Sequence, residues 1–352
     1  MNMNLAKLEI VNDNSKSNNS KNDINTININ RFRDYIINDF FSFLDVSEKT
    51  VATYRRALKQ FFRFLSSNNI SSPAYDDILL FKKELESKNC KSATIALYLA
   101  SVRRFFSWCE QKKVYPNISI GVKAPRQDRG HKRDFLGAKQ LRLVLDTIDR
   151  STLEGKRDYA IMVLMCVGGL RTIEISRANV DDVRTLGDFT VLYVQGKGRK
   201  DRTEFVKLPE PVLKAINEYL KERANCVEGS SNSGNSSNSS HLGNSSNPSN
   251  PSGGDALFAS TSNRNRNGRL TTRTISGIAK RAMRKAGFDS PRLSAHSLRH
   301  SAVTLSLLAG ADLAEVQAFA RHSNISTTQI YSHAVDRINS MCENAISDAI
   351  FL

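Results

Sequence analysis

Between residues 171 and 331 the chain carries a short series of side chains suited to chemistry on phosphorus. They are Arg171 in Gly-Leu-Arg-Thr-Ile-Glu, Lys197 in Gln-Gly-Lys-Gly, His296 and Arg299 in His-Ser-Leu-Arg-His, His322 in Ala-Arg-His-Ser, and Tyr331 in Thr-Gln-Ile-Tyr-Ser-His. Attack on a phosphodiester drives negative charge onto its two non-bridging oxygens. Arg171 and Arg299 suit those oxygens, because a guanidinium binds them through paired hydrogen bonds in fixed geometry. His296 and His322 can donate further bonds, and either can help remove a phenol proton. A phenol ionises at about pH 10 in water, and a cluster of cations favours its phenolate. Tyr331 is therefore a candidate nucleophile whose product, a phosphotyrosine ester, keeps the energy of the broken bond. Lys197 is the candidate acid for the leaving oxygen. Glu174, three residues after Arg171, is placed to orient it. Singly, each of these residues has an ordinary structural reading: a surface arginine, a turn lysine, a capping histidine, a half-buried tyrosine. Their conjunction carries the inference. The chain contains no GxxxxGK[ST] loop, HExxH or GxSxG, so nucleotide-loop, zincin and serine-hydrolase chemistry are set aside. No metal or nucleotide cofactor is expected.

The elements that must hold these residues follow from pattern. Residues 1–30, rich in Asn, Ser and Lys, read as a disordered tail. Residues 31–122 read as a helical domain with helices near 34–45, 47–66, 76–88 and from Ser92 onward. Ser47 is a plausible N-cap. Val51, Tyr54, Leu58, Phe61, Phe62 and Leu65 share one face of the second helix, and Arg55, Lys59 and Arg63 form a basic stripe beside it. Arg56, Arg103 and Arg104 add to that charge. Residues 123–134 read as a basic linker broken by Pro125 and Gly130. Residues 135–352 form the catalytic domain. Within it, strands at 189–194 and 203–208 flank a basic turn bearing Lys197, 226–254 is a disordered Ser/Asn insertion, and 334–350 is an amphipathic helix that needs a groove.

The chain carries 51 Lys+Arg against 35 Asp+Glu, a net charge of +16. The excess lies outside the N-terminal tail, whose basic and acidic residues cancel, and it favours a polyanionic partner. The five cysteines are scattered and form no CxxC pair, which argues against a disulfide framework or a zinc site and for a reducing cytoplasm. The longest apolar run, Tyr159 to Leu170, is too short to span a bilayer.

The order Arg, Lys, His-x-x-Arg, His, Tyr resembles the tyrosine recombinase, or phage integrase, family, and within it the simple Xer-like members. The second histidine precedes Tyr331 by nine residues (331 − 322), as in that family, and Lys49-Thr-Val-Ala-Thr-Tyr-Arg-Arg is similar to the opening of a helix in its core-binding domain. The resemblance covers about 31–352 apart from the insertion. It departs at Ala320-Arg321, where the family commonly has Leu-Gly. It implies a mainly α fold: a four-helix SAM-like core-binding domain followed by an α+β catalytic domain with a small antiparallel sheet. It implies a site-specific DNA recombinase acting on double-stranded DNA through a covalent 3′-phosphotyrosine, in the cytoplasm with the nucleoid. The partners it implies are a homotetramer on two duplexes or a heteromeric recombinase, with no membrane. Alternatives are a relaxing enzyme of type IB topoisomerase character and a non-catalytic DNA-binding regulator.

Overall fold

The computed structural model describes residues 36–126, 134–196, 201–231, 255–263, 265–338 and 340–351. The expected tail at 1–30, most of the linker, Lys197, and most of the Ser/Asn insertion lie outside the described residues. The chain divides into two compact units, residues 1–128 and 129–352.

The regular elements of the first unit, among the described residues, are helices: α1 (36–43), α2 (Glu48–Ser67), α3 (Tyr75–Ser87) and α4 (Ser92–Gln111). Ser47 caps α2 by accepting from the Thr50 N–H at 3.4 Å. The apolar face of α2 meets that of α4, because Leu58, Phe61, Phe62 and Leu65 on one and Ile95, Leu99, Val102, Phe105 and Phe106 on the other are all buried. Aromatic rings dominate this core and meet edge to face, as their quadrupoles favour. Phe40 and Phe105 lie 5.3 Å apart at 86°, and Phe62 and Phe105 5.5 Å apart at 88°. The polar residues buried here are Ser101 and Ser119, both uncharged.

The second unit is built around α6 (Leu153–Gly168). Its run Ala160–Cys166 is buried on every side, as a helix apolar all round must be. It packs on α8 (Glu210–Ser231) and α10 (Ala295–Leu308), with α5 (Ala138–Asp146) and α9 (Thr272–Lys285) against its flanks. The strands β1 (Val183–Leu186), β2 (Phe189–Val194) and β3 (Glu204–Lys207) form one antiparallel sheet in that order. β1 is an addition to the expected hairpin. Arg184, Thr185 and Leu186 are all exposed, so no apolar alternation marked it. Gly187, at φ 57°, makes its tight turn into β2. The remaining helices are α7 (Thr172–Arg177), α11 (Leu313–Ala320), α12 (Ile325–Ile338) and α13 (Cys342–Phe351).

The C-terminal reading needs correction. The helix of Tyr331 continues to Ile338, and α13 is a separate helix, so 334–350 is not one element. Ser340 gives the physical reason: its hydroxyl accepts from the Cys342 N–H at 3.4 Å and caps a new helix start. No residue of α13 is buried, and Ile346, Ile350 and Phe351 are exposed.

Candidate active site

The site gathers where α6, α7, α10, α11 and α12 meet. α6 ends at Gly169, whose left-handed backbone (φ 59°, ψ 29°) turns the chain sharply. A Cβ there would stand 3.0 Å from the Phe319 ring, so any other residue would press on that ring as well as strain the left-handed backbone. The turn delivers Arg171 as the N-cap of α7 and Glu174 as its third residue. Glu174 therefore folds back on Arg171 rather than lying beside it on a helix face. Its Oε2 accepts the Arg171 backbone N–H at 2.8 Å and its Oε1 accepts Nη1 at 2.7 Å.

Arg299, on α10, is 1% exposed. Its guanidinium donates to the carbonyls of Gly169 and Ala320, which terminate α6 and α11. Helix C-termini carry partial negative charge and unpaired carbonyls, so they are natural seats for a buried guanidinium. Burial, with Arg171 and Arg321 nearby, pushes Arg299 down to about 9, which leaves it positive at neutral pH.

Arg321, just past α11, has a left-handed backbone (φ 52°, ψ 48°) and a side chain 4% exposed. It donates through Nη2 to Glu174 Oε2 at 3.1 Å and to the Gly169 carbonyl at 3.3 Å, and through Nη1 to the Phe319 carbonyl at 2.7 Å. Arg171 Nη2 in turn donates to the Arg321 carbonyl at 3.2 Å. Burial pushes the fully buried Glu174 up, but Arg321 and then Arg171 outweigh it and hold the carboxyl below its ordinary value.

His322 follows. Its Nδ1 lies 2.9 Å from the hydroxyl of buried Thr328, one turn before Tyr331 on α12. Burial first, then Arg299 and Arg171, lowers its imidazole to about 4, so it is neutral near pH 7. The Tyr331 ring is 3% exposed and lies 6.1 Å from the His322 ring at 21°. Its hydroxyl is hydrogen-bonded to Nδ1 of His300. Burial raises the phenol to about 12 against the pull of Arg299 and Arg171. His296, exposed at the start of α10, sits with its ring 4.5 Å from His300. It lines a cavity of about 540 Å³ together with Arg171, Thr172, Ser276, Lys280 and Ser294.

Arg171, Glu174, His296, Arg299, His322 and Tyr331 thus converge. The described residues on either side of Lys197 are tied to α7, since Arg177 donates to the Gly196 carbonyl at 3.1 Å and Arg202 to the Arg177 carbonyl at 3.1 Å. His300 and Arg321 belong to the site as well, beyond the residues that the sequence pattern singles out. The signal for His300 was its i, i+4 spacing from His296. The signal for Arg321 was its place where the resembled family commonly has glycine. The arrangement holds an excess of positive charge around one carboxylate and an exposed cavity. It can take up a phosphodiester anion and set a phenol against it.

In the first unit, Arg55, Arg56, Arg63 and Arg104 are exposed, while Lys59 and Arg103 are half-buried. Arg55 lies over the Phe41 ring at 4.2 Å, and Arg103 donates to the Val122 carbonyl at 3.3 Å. Val46, Val51, Arg55, Arg56 and Lys59 line a second cavity of about 540 Å³.

Known proteins resemble the chain in both sequence and fold. The model of the phage integrase family matches residues 134–337, and that of the phage integrase N-terminal SAM-like domain matches 29–113. Tyrosine recombinase XerC of Bacillus subtilis is 30% identical over 291 residues, 82% of this chain and 86% of its own. Tyrosine recombinase XerD of Oceanobacillus iheyensis is 28% identical over 309 residues, 85% and 94% of the two chains. In fold, the chain is similar to XerH site-specific recombinase bound to palindromic difH substrate in a post-cleavage complex. The TM-score is 0.65 at 21% identity, over 84% of this chain and 79% of that one. It is similar also to a lambda integrase dimer bound to a COC' core site (TM-score 0.57, 18% identity, 84% and 96% covered).

Proposed function

The chain belongs to the phage integrase family as a tyrosine recombinase, an enzyme of site-specific DNA strand exchange, and from that premise we propose how its own residues carry the reaction. Tyr331 Oη attacks the scissile phosphorus, a bond forms between them, and the bond from phosphorus to the 5′ oxygen breaks. The product is a 3′-phosphotyrosine and a free 5′-hydroxyl. Arg171 and Arg299 bind the non-bridging oxygens, where charge grows in the transition state. His296 donates from the rim of the cavity. His322, whose Nδ1 sits beside the Thr328 hydroxyl, carries its proton on Nε2 and offers it to the same phosphate. His300, rather than His296 or His322, takes the phenol proton as attack proceeds, because its Nδ1 is the atom at the hydroxyl. Lys197 protonates the leaving 5′ oxygen. Attack by the 5′-hydroxyl of another strand reverses these steps and joins new partners.

The observation that carries this reading is the buried Tyr331 hydroxyl held on His300, with Arg171 and Arg299 both acting on the phenol. Without DNA, burial outweighs the arginines and the phenol stays protonated. Bound phosphate brings the electrophile that makes proton loss productive.

The DNA is double-stranded and held at a specific site, with the exposed Arg55, Arg56, Arg63 and Arg104 and the half-buried Lys59 and Arg103 meeting its phosphates. Exchange between two duplexes needs four such sites, so the working assembly is a tetramer on DNA, formed with itself or with a second recombinase. The exposed α13 docks on a neighbouring protomer. Among the described residues no helix is long and apolar enough to cross a membrane, and the cytoplasm with its nucleoid is the proposed location. A suicide DNA substrate, nicked so that religation fails, tests the core of this reading. Wild-type protein forms a denaturant-resistant adduct. Tyr331→Phe binds the DNA and forms none. An adduct with Tyr331→Phe refutes the nucleophile assignment.

A further inference from the structure

We propose that Arg321 is a positioning residue that keeps Glu174 paired inside the site, so that Arg171 can turn its guanidinium from Glu174 to the DNA phosphate. This rests on the strand-transfer reading above.

Glu174 is fully buried, and a buried carboxylate left without a counter-ion is strongly disfavoured. Its two oxygens are divided: Oε1 takes Arg171 Nη1, and Oε2 takes the Arg171 backbone N–H and Arg321 Nη2. The three guanidiniums around it differ in freedom. Arg299 and Arg321 are buried at 1% and 4% exposure and donate to main-chain carbonyls. Arg171 is 27% exposed and lines the cavity that also bears His296. Arg171 is therefore the arm that can reach a ligand. With a neutral residue at 321, its departure would leave Glu174 with a backbone N–H as its one hydrogen-bond donor among the described residues, and the carboxylate would compete with the phosphate for it. Arg321 removes that competition, because the ion pair persists when Arg171 leaves.

The local backbone supports a selected role. Arg321 adopts a left-handed conformation that a side chain disfavours. Its Nε is buried without an acceptor among the described residues. Both features oppose an arginine here, and what they are set against is the pairing made by its two terminal nitrogens.

The test is a mutant cycle read as the rate of adduct formation on the suicide substrate at saturating DNA, with DNA affinity and thermal melting measured alongside. Arg321→Gly should fold, since glycine suits the backbone, and should bind DNA nearly as well. It should form adduct about 10–100-fold more slowly, the usual cost of losing a partner that orients a ligand-contacting group. Adding Glu174→Gln should restore much of that rate, because an amide no longer holds Arg171. A wild-type rate in Arg321→Gly overturns the proposal. So does a slow Arg321→Gly whose rate Glu174→Gln leaves unchanged. If the glycine variant melts early, Arg321→Met, neutral and of similar length, carries the same cycle, and absence of rescue there is equally decisive. Tyr331→Phe runs in parallel, so that an adduct in that variant exposes failure of the nucleophile assignment rather than of Arg321.

Discussion

The two units of the chain solve the problem of a stable interior in opposite ways. The first closes around rings. Phe40, Phe61, Phe81, Phe105, Phe106 and Trp108 are all nearly inaccessible, and Ser101 and Ser119 are the buried polar residues among those described. The second encloses Arg157, Glu174, Asp182, Arg299 and His300 in the same space as its apolar core. Buried charge is costly unless every group is paired, and the second unit meets that cost with helix ends for Arg299 and with ion pairs: Arg157 with Asp158, Asp182 with Arg202, and Glu174 with Arg171 and Arg321. The comparison teaches where the chemistry is stored. A unit that only presents a basic surface has no use for internal charge. A unit that must stabilise a growing anion keeps cations such as Arg299 desolvated beforehand, where electrostatics are strongest.

The sharpest break of the comparison comes from emptying the aromatic core. Phe106→Ala, at a fully buried ring, should destabilise the first unit by about 3–5 kcal/mol. Hydrogen exchange in α4 reads this effect, and the tyrosine chemistry of molecules that remain folded and DNA-bound should change little. Arg299→Ala should do the reverse to function. Adduct formation at saturating DNA should fall about 10²–10³-fold, on the order of 2.7–4 kcal/mol in barrier, while amides of α4 keep their protection.

Acid should separate the units next. Glu174 lies below its ordinary value when folded, so its stabilisation is complete above the unfolded pKa and is lost as pH falls through the folded one. His322 drops from 6.5 to about 4 on folding. Between those values the unfolded chain binds the extra proton, so the contribution is full above pH 6.5 and declines toward pH 4. Amide protection in α10 should therefore weaken from pH 7 to 4 more than in α4, whose unit buries no charged residue among those described. Equal weakening would contradict the contrast. The smallest effect belongs to the basic surface. Arg55→Ala should lower the slope of log affinity against log salt by about 1, measured by fluorescence anisotropy, with an unchanged adduct rate once DNA saturates.

The legibility of the molecule follows the same division. Helices α2 and α4 were readable because apolar residues recur at helical spacing and Ser47 marks a cap. Tyr331, Arg299, His322 and Arg171 were readable through their order and local motifs. β1 was not, because its exposed residues carry no alternation. The break before α13 was not, because apolar periodicity runs on through Val335, Ile338 and Met341 as though one helix continued. His300 and Arg321 show the deeper reason. Spacing places His300 on the face of His296 but does not say that a phenol from a helix beyond will meet it. An arginine after a helix end ordinarily reads as a surface cation favoured by the dipole. Only the fold reveals that a left-handed turn sends Arg321 inward to a carboxylate 147 residues away in sequence.

The central claim, that a phenol set among a cluster of cations becomes the attacking group on phosphorus, is tested most directly by locating the covalent bond itself. Protein trapped on a suicide substrate would be digested with nuclease and trypsin, and the modified peptide sequenced by mass spectrometry. The account predicts a nucleotide phosphate on Tyr331, within the peptide His322–Arg337. A phosphate bonded to any other side chain, with Tyr331 unmodified, would contradict it.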